Sequence, residues 1–281
     1  MNERLEVRKT YKLFIGGAFP RSESGRTYEV SGADGIFLAN PSLASRKDLR
    51  DAVVAARNAQ TGWAAATAYN RGQVLYRIAE MLEGRADQFA AEIATLDGVS
   101  LEDAAAEVYE SIDRWVWYAG WSDKLAAVNG GTNPVAGPFY NFTIPEPLGV
   151  VGAIAPEGQA LLGLVDAIAP IIVSGNSTVV LASTRAPLPA LTFAEVLATS
   201  DLPAGVCNIL TGSKSELLPW FASHMDIDGL DITGVDEFSR TDIKVAGVEN
   251  LKRIHAFDSA ASPQRIFAFM EAKTIWHPIG I

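Results

Sequence analysis

The sequence predicts an α/β protein: a parallel sheet with helices on both faces, preceded by a run of helices and interrupted by a small protruding β module. Three observations carry this expectation. From residue 149 onward, continuous apolar runs of strand length alternate with helix-length stretches, the pattern of a parallel sheet buried on both sides. Before residue 126, apolar residues recur at helical spacing. Between these parts, over 129–147, the helical signal stops and glycines and prolines punctuate an extended run.

Residues 11–15 alternate before Gly16-Gly17, a strand running into a tight turn, and 27–30 and 35–38 read as further short strands. Ser45 lies three residues before Asp48, a start signal of the capping-box kind with Asp in place of Glu. Leu49, Val53, Ala56, Ala59 and Trp63 follow at helical spacing. A second amphipathic helix is expected over 71–84, with Val74, Leu75, Ile78, Met81 and Leu82 inward. A third is expected over 100–125, with Leu101, Ala105, Val108, Ile112, Trp115 and Ala119 on one stripe. The extended run 139–144 is flanked by Gly137, Pro138, Pro145 and Pro147. The alternating part follows, with strands over 149–155, 177–182, 206–210, 227–232 and 250–254 and helices over 159–173, 188–200, 213–223 and 235–246. This is a Rossmann-like arrangement, although no GxGxxG is present. Ser262-Pro263 opens a short helix, and 273–276 reads as a terminal strand.

The 281 residues, 48% hydrophobic and 20% charged, suit one large domain with appendages. A net charge of −10 repels phosphate backbones and anionic lipid, so neither nucleic acid nor a membrane surface is an expected partner. The longest uncharged apolar-leaning run, 167–184, is broken by Pro170, Gly175 and Asn176 into a helix and a strand rather than a membrane span. Residues 1–10 hold no apolar core of a secretory leader. The single cysteine, Cys207, permits no internal disulfide, which points to a reducing, cytoplasmic setting. His224, His255 and His277 show no ligand spacing, and no protein-built metal site is expected. The cluster Trp115, Trp117, Tyr118 and Trp121 lacks the basic groove that base stacking needs. Trp115 is expected in the core, and Trp117 and Trp121 against a neighbouring subunit. Glu102, Asp103, Glu107, Glu110 and Asp113 read as a solvated helix surface.

Six segments, in order, resemble one family. Tyr118-Ala-Gly-Trp121-Ser-Asp-Lys124 resembles the YAGWADK stretch of aldehyde dehydrogenases, and Asn141-Phe-Thr followed by 146–154 resembles their NYT…EPLGVVGAI. Residues 168–181 resemble IAPALAAGNTVVL, 202–209 resemble LPPGVVNI, and 223–234 resemble SHMDID…FTG. The tail 271–276 is similar to the family's last strand. The chain thus resembles the aldehyde dehydrogenase superfamily over 11–254 and again at the tail. The resemblance implies a nucleotide-binding-type unit over 1–128 and 148–258, with oligomerisation segments at 129–147 and 259–281. In the family, the strand matching 250–254 leads into an E-L-G-G-K turn that supplies a general base. Here it leads into His255-Ala-Phe-Asp-Ser-Ala and almost at once into the tail. The expected outline therefore skips the catalytic cysteine domain, similar to the cysteine-lacking second unit of tandem aldehyde dehydrogenases.

Aldehyde oxidation in this family requires a thiolate nucleophile, an oxyanion hole with an Asn amide, and a carboxylate that activates the deacylating water. Cys207 falls on a strand where relatives carry an aliphatic residue, so it reads as a small core hydrophobe rather than the nucleophile. The family's P-W-N-F-P turn appears as Pro156-Glu-Gly-Gln-Ala160, with Gly158 at the Asn position and Gln159 at the Phe position. The K-P-x-E ribose contacts become Ala182 and Arg185, the phosphate-contacting Ser becomes Val235 with Asp236 beside it, and the Trp over the pyrophosphate becomes Glu157. Glu157 and Asp236 are expected to repel a diphosphate. Arg185 reads either as a phosphate partner or as a solvated arginine. The resemblance leaves a vestigial cofactor cleft of Ala155, Pro156, Ala182, Gly212 and Gly234, with NAD(P) binding weak at most. The expected function is that of a non-catalytic subunit, or pseudoenzyme. It would associate with a full-length aldehyde dehydrogenase or with itself, through a strand at 273–278 paired with 139–144. The alternative is an NAD(P)-dependent oxidoreductase acting on aldehydes, or a cofactor-binding protein with residual activity.

Overall fold

The structure, a computed structural model, describes residues 7–258 and 261–280. Residues 1–6, part of the start read against a secretory leader, and the tail residues 259, 260 and 281 lie outside the described residues.

Short strands β1 (Val30–Ser31) and β2 (Phe37–Ala39) pair antiparallel. The expected strand at 11–15 reduces to isolated bridges, Phe14 with Ile209 and Ile15 with Ala18 around the Gly16-Gly17 turn. Helix α1 (Arg46–Ala65) starts at Ser45 with the capping box complete: Ser45 Oγ accepts from the Lys47 and Asp48 N–H groups, and Asp48 accepts from the Ser45 N–H. Helix α2 (Ala68–Glu83) follows. Helix α3 (Ala86–Asp97) lies where the spacing analysis places nothing. It buries Phe89, Ala90, Ile93 and Leu96 and stops at Gly98, whose φ of 71° is in the left-handed region. Helix α4 (Leu101–Ala119) ends at Gly120 instead of running to 125, and a separate short helix α5 (Leu125–Asn129) follows. Leu101, expected inward, is exposed because it is the first residue of α4 and lies off the end of the stripe.

Strands β3 (Gly131–Asn133) and β4 (Phe139–Pro147) form the excursion. The alternating part then runs β5 (Val150–Ile154), α6 (Leu162–Val173), β6 (Ser177–Leu181), α7 (Leu188–Ala198), β7 (Cys207–Leu210), α8 (Lys214–Ser223), β8 (Gly229–Asp231), α9 (Glu237–Ala246) and β9 (Arg253–His255). Helix α10 (Pro263–Phe267) and strand β10 (Met270–Pro278) end it. The five parallel strands take the order β7-β6-β5-β8-β9, a Rossmann-like α/β fold that grows to both sides of β5. Side chains alternate between two cores. Val151 and Ala153 point to the face covered by α6 and α7, backed by α2, α3 and α4. Val150 and Ile154 point to the face covered by α1, α8 and α9. Each Leu, Ile, Val or Phe fully buried here contributes roughly 1.5–3 kcal/mol of hydrophobic stabilisation. The second sheet, order β10-β4-β3, is antiparallel.

Candidate functional site

In open α/β sheets, ligands bind beyond the carboxyl ends of the strands, where the strand order reverses. In this chain that crevice lies between β5 and β8. The Lys214 ammonium, at the start of α8, spans it. Lys214 Nζ donates to the carbonyl oxygens of Ala155 and Gly234, both at 2.9 Å, and pairs with Glu157 at 2.5 Å. Glu157 also accepts from Ser183 Oγ at 2.7 Å and from the Arg185 N–H at 3.1 Å. Burial pushes the Glu157 carboxyl up, but the hydrogen bonds from Lys214, Ser183 and Arg185 outweigh it and hold the group below the usual carboxylate range. Gly234 is required by close approach: a Cβ there would lie 2.1 Å from the Ala155 carbonyl oxygen.

A second tie closes the neighbouring strand end. Pro170, inside α6, has no N–H to give to the Asp166 carbonyl one turn back. Arg265 Nη2, brought in by α10, donates to that carbonyl at 2.8 Å and pairs with Asp231, at the end of β8, at 3.3 Å. Arg265 and Asp231 are 2% and 1% exposed, so this is a fully buried ion pair. Arg265 also donates to the Asp258 carbonyl and lies over the Phe257 ring. Asp166 itself is paired with Arg114, which also reaches Glu110. Burial raises both aspartates, opposed by Arg265 and Arg114 at Asp166 and by Arg265 at Asp231. Pro156, Gly158, Gln159, Thr233 and Arg265 line a cleft of about 260 Å³ beside this network.

All five residues of the expected vestigial cleft lie at the carboxyl edge, but only two meet one group. Ala155 and Gly234 share the Lys214 ammonium. Ala182 is buried just past β6, with its N–H donated to Leu210. The Gly212 carbonyl, past β7, accepts from Thr184, and Pro156 borders the small cleft. Gly158 is exposed with open space where a side chain would stand. Cys207 is 1% exposed, and burial pushes its thiol up. Arg185 is mostly solvated, with Asp97 at 3.4 Å. Val235 is buried, and Asp236 caps α9 by accepting from the Ser239 N–H at 3.0 Å.

Residues 19–275 match the aldehyde dehydrogenase family. The chain belongs to that family. It is 34% identical over 271 residues to the cytosolic 10-formyltetrahydrofolate dehydrogenase of Pongo abelii, covering 93% of this chain and 30% of that protein. It is 34% identical over 273 residues to retinal dehydrogenase 2 of Homo sapiens, covering 94% and 51%. Among solved structures it is similar to an aldehyde dehydrogenase from Bacillus cereus, with a TM-score of 0.82 at 26% identity over 88% of this chain and 50% of that one. The chain thus spans about 30% of the formyltetrahydrofolate dehydrogenases it matches and half of the solved structure.

The residues that the resemblance matches to the family's dinucleotide contacts do not suit those roles. The ribose-holding Lys position is the buried Ala182, the Glu position is the solvated Arg185, and the phosphate-contacting Ser position is the buried Val235. The first turn of α9 is already capped by a carboxylate, and the switch-point crevice is crossed by Lys214. Two expectations need correction. Glu157 does not stand as an unmatched repelling charge, because Lys214 neutralises it. Glu107 is not a solvated helix carboxylate: its Oε1 accepts from the Leu161 and Leu162 N–H groups at 2.9 and 3.1 Å, which satisfies the open start of α6. Trp117 and Trp121 pack on each other, and Trp121 meets Phe267 of the chain's own α10 edge-on. Sequence reasoning missed Lys214, Asp166, Asp231 and Arg265. Pro170 inside a helical run was the one local sign, since it orphans a carbonyl that some distant donor must satisfy.

Proposed function

We propose that this aldehyde dehydrogenase family chain is a non-catalytic unit whose role is association, with a full-length family member or with a copy of itself. One observation carries the reading: the crevice in which a dinucleotide would lie is bridged by the chain's own Lys214–Glu157 pair. The burial of the only thiol, Cys207, supports it, because a nucleophile must be ionised and reachable. The three-stranded sheet supports the association half. Phe139 and Tyr140 of its middle strand and Trp276 of its edge strand β10 are exposed large apolar groups.

The isolated chain is expected to produce no NADH or NADPH from aldehydes and to show no micromolar dinucleotide binding by calorimetry. A thiol reagent should modify Cys207 only as fast as the protein unfolds. Deleting 273–281 should abolish assembly while leaving the parallel-sheet unit folded. The second reading, an NAD(P)-dependent oxidoreductase acting on aldehydes, is favoured by the similarity to retinal dehydrogenase 2. Micromolar NAD or NADP binding, or turnover that co-purifies with the chain and survives Cys207→Ala, would establish it instead.

A further inference from the structure

We propose that the groove between α2 and α4 is a docking surface for an amphipathic helix with a basic polar face, carried by a partner protein. The groove is separate from the three-stranded sheet, and the proposal does not depend on what that sheet binds. The start of α2 packs so closely on the end of α4 that a Cβ added at Gly72 would lie 2.5 Å from Ser122 Oγ. The two helices lie antiparallel along one another, each with one face buried in the core and a ridge turned to solvent. Tyr69, Tyr76, Glu80 and Glu83 stand exposed on the ridge of α2, and Tyr109, Asp113 and Val116 on that of α4. Where the start of one helix meets the end of the other, Tyr69, Tyr76 and Val116 line a cleft of about 330 Å³ together with the small residues Gly72, Ala119 and Gly120.

The chemistry of the ridges names the occupant. Tyr69, Tyr76 and Tyr109 are 73%, 49% and 51% exposed. An exposed phenol ring offers an apolar body to a partner side chain and an electron-rich face to a cation. The carboxylates supply the charge. Arg77 pairs with Glu80 and Lys124 with Asp123, but Glu83 and Asp113 have no cation within ion-pair distance among the described residues. Glu83 is moreover the last residue of α2, where the helix dipole repels a carboxylate, so a cation brought from outside relieves a local cost. A helix with an apolar stripe between flanking lysines or arginines answers both features. Its apolar residues enter the cleft at Tyr69, Tyr76 and Val116, and its cations meet Glu83, Asp113 and the tyrosine rings. A second copy of this chain does not answer them, because it sets the same unmatched carboxylates against each other. At 1.5 Å per residue the ridge from Tyr69 to Glu83 is roughly 21 Å long, so about 15 residues of partner helix cover it.

The probe is a labelled synthetic helix of about 18 residues with leucines along one face and lysines along the other, titrated with the intact chain by fluorescence anisotropy. A second peptide carries glutamate in place of each lysine. The lysine peptide should bind at micromolar concentration and the glutamate peptide should not bind. Glu83→Lys with Asp113→Lys should weaken the lysine peptide about tenfold or more, and Tyr76→Ser should weaken it about tenfold at unchanged net charge. Glu249→Lys, on the turn after α9, is the control for net charge and should leave the affinity within about twofold. An equal loss from Glu249→Lys, or no loss from Tyr76→Ser, reduces the binding to the overall charge of the chain and overturns the proposal. Absence of binding by the lysine peptide, or binding of the glutamate peptide, overturns it as well and leaves the outer ridges of α2 and α4 as solvated faces. A dimer of the chain that the Glu83 and Asp113 reversals disrupt would give the groove to a second copy and likewise overturn it.

Discussion

At the carboxyl edge of the parallel sheet, strand ends are tied off by side chains from elsewhere in the chain: Lys214 joins β5 to the turn after β8, and Arg265 joins β8 to α6. On the outer side of β10 no strand of the described residues pairs, and from Glu271 onward its side chains are mostly exposed. The first region resembles a binding site whose contacts have been taken over from within. Lys214, Glu157 and Asp231 are each paired within the chain, and a ligand would have to displace an ion pair to enter. The second has the opposite condition, with apolar side chains and an open ladder edge left over after folding. A region that satisfies itself has little free energy to offer a ligand, and one that does not is where association can add most.

That contrast can be broken by substitution. The largest effect is expected from Arg265→Met, which leaves Asp231 buried without its cation and again orphans the Asp166 carbonyl. Removing one partner of a buried pair costs about 3–5 kcal/mol, and urea denaturation should read a loss in that range. A loss below about 1 kcal/mol would show that the tail is not held by this pair. Lys214→Met should come next, at about 1–3 kcal/mol, because two part-buried carbonyls lose their donor and Glu157 loses its cation. If the same variant gains NAD binding, the plug rather than the altered contacts was what excluded the cofactor.

A smaller effect belongs to Glu157. Its carboxyl is held below its ordinary range in the folded state, so it adds stability at neutral pH that is lost as pH falls through the acid range. Its side chain is 42% exposed, and solvent screening limits the contribution to under about 1 kcal/mol. Glu157→Gln should flatten the acid limb of a stability-versus-pH curve; an unchanged limb would mean the pair with Lys214 is too solvated to count. Smallest of all, Trp276→Ala should change single-chain stability by less than about 0.5 kcal/mol, measured at low protein concentration to suppress association. Trp276 meets Phe139 edge-on within the chain, so a larger loss would mean that this contact holds the sheet together and that the two regions are less different than argued.

Much of this architecture is local in origin and so was legible in the sequence. The Ser45/Asp48 cap, the apolar strands around 150, 177 and 207 and the punctuated excursion follow from spacing and turn chemistry, while the motif order carried the family and, through it, the pairing of the tail with 139–144. Helix α3 was legible too, since Phe89, Ile93 and Leu96 recur at helical intervals, but it is short and its neighbours are stronger. The site was different. Gly158, Ala182 and Val235 announced what was absent from the motif positions. Nothing near them announced what had replaced it. Lys214 meets Ala155 across 59 residues and Gly234 across 20, while Arg265 meets Asp166 across 99 and Asp231 across 34. Periodicity and capping report on neighbours along the chain, so the sequence alone determined the elements, their order and the lost motif residues. Which distant side chain would satisfy each open strand end depends on where the packed helices deliver it, and only the tertiary structure decided that.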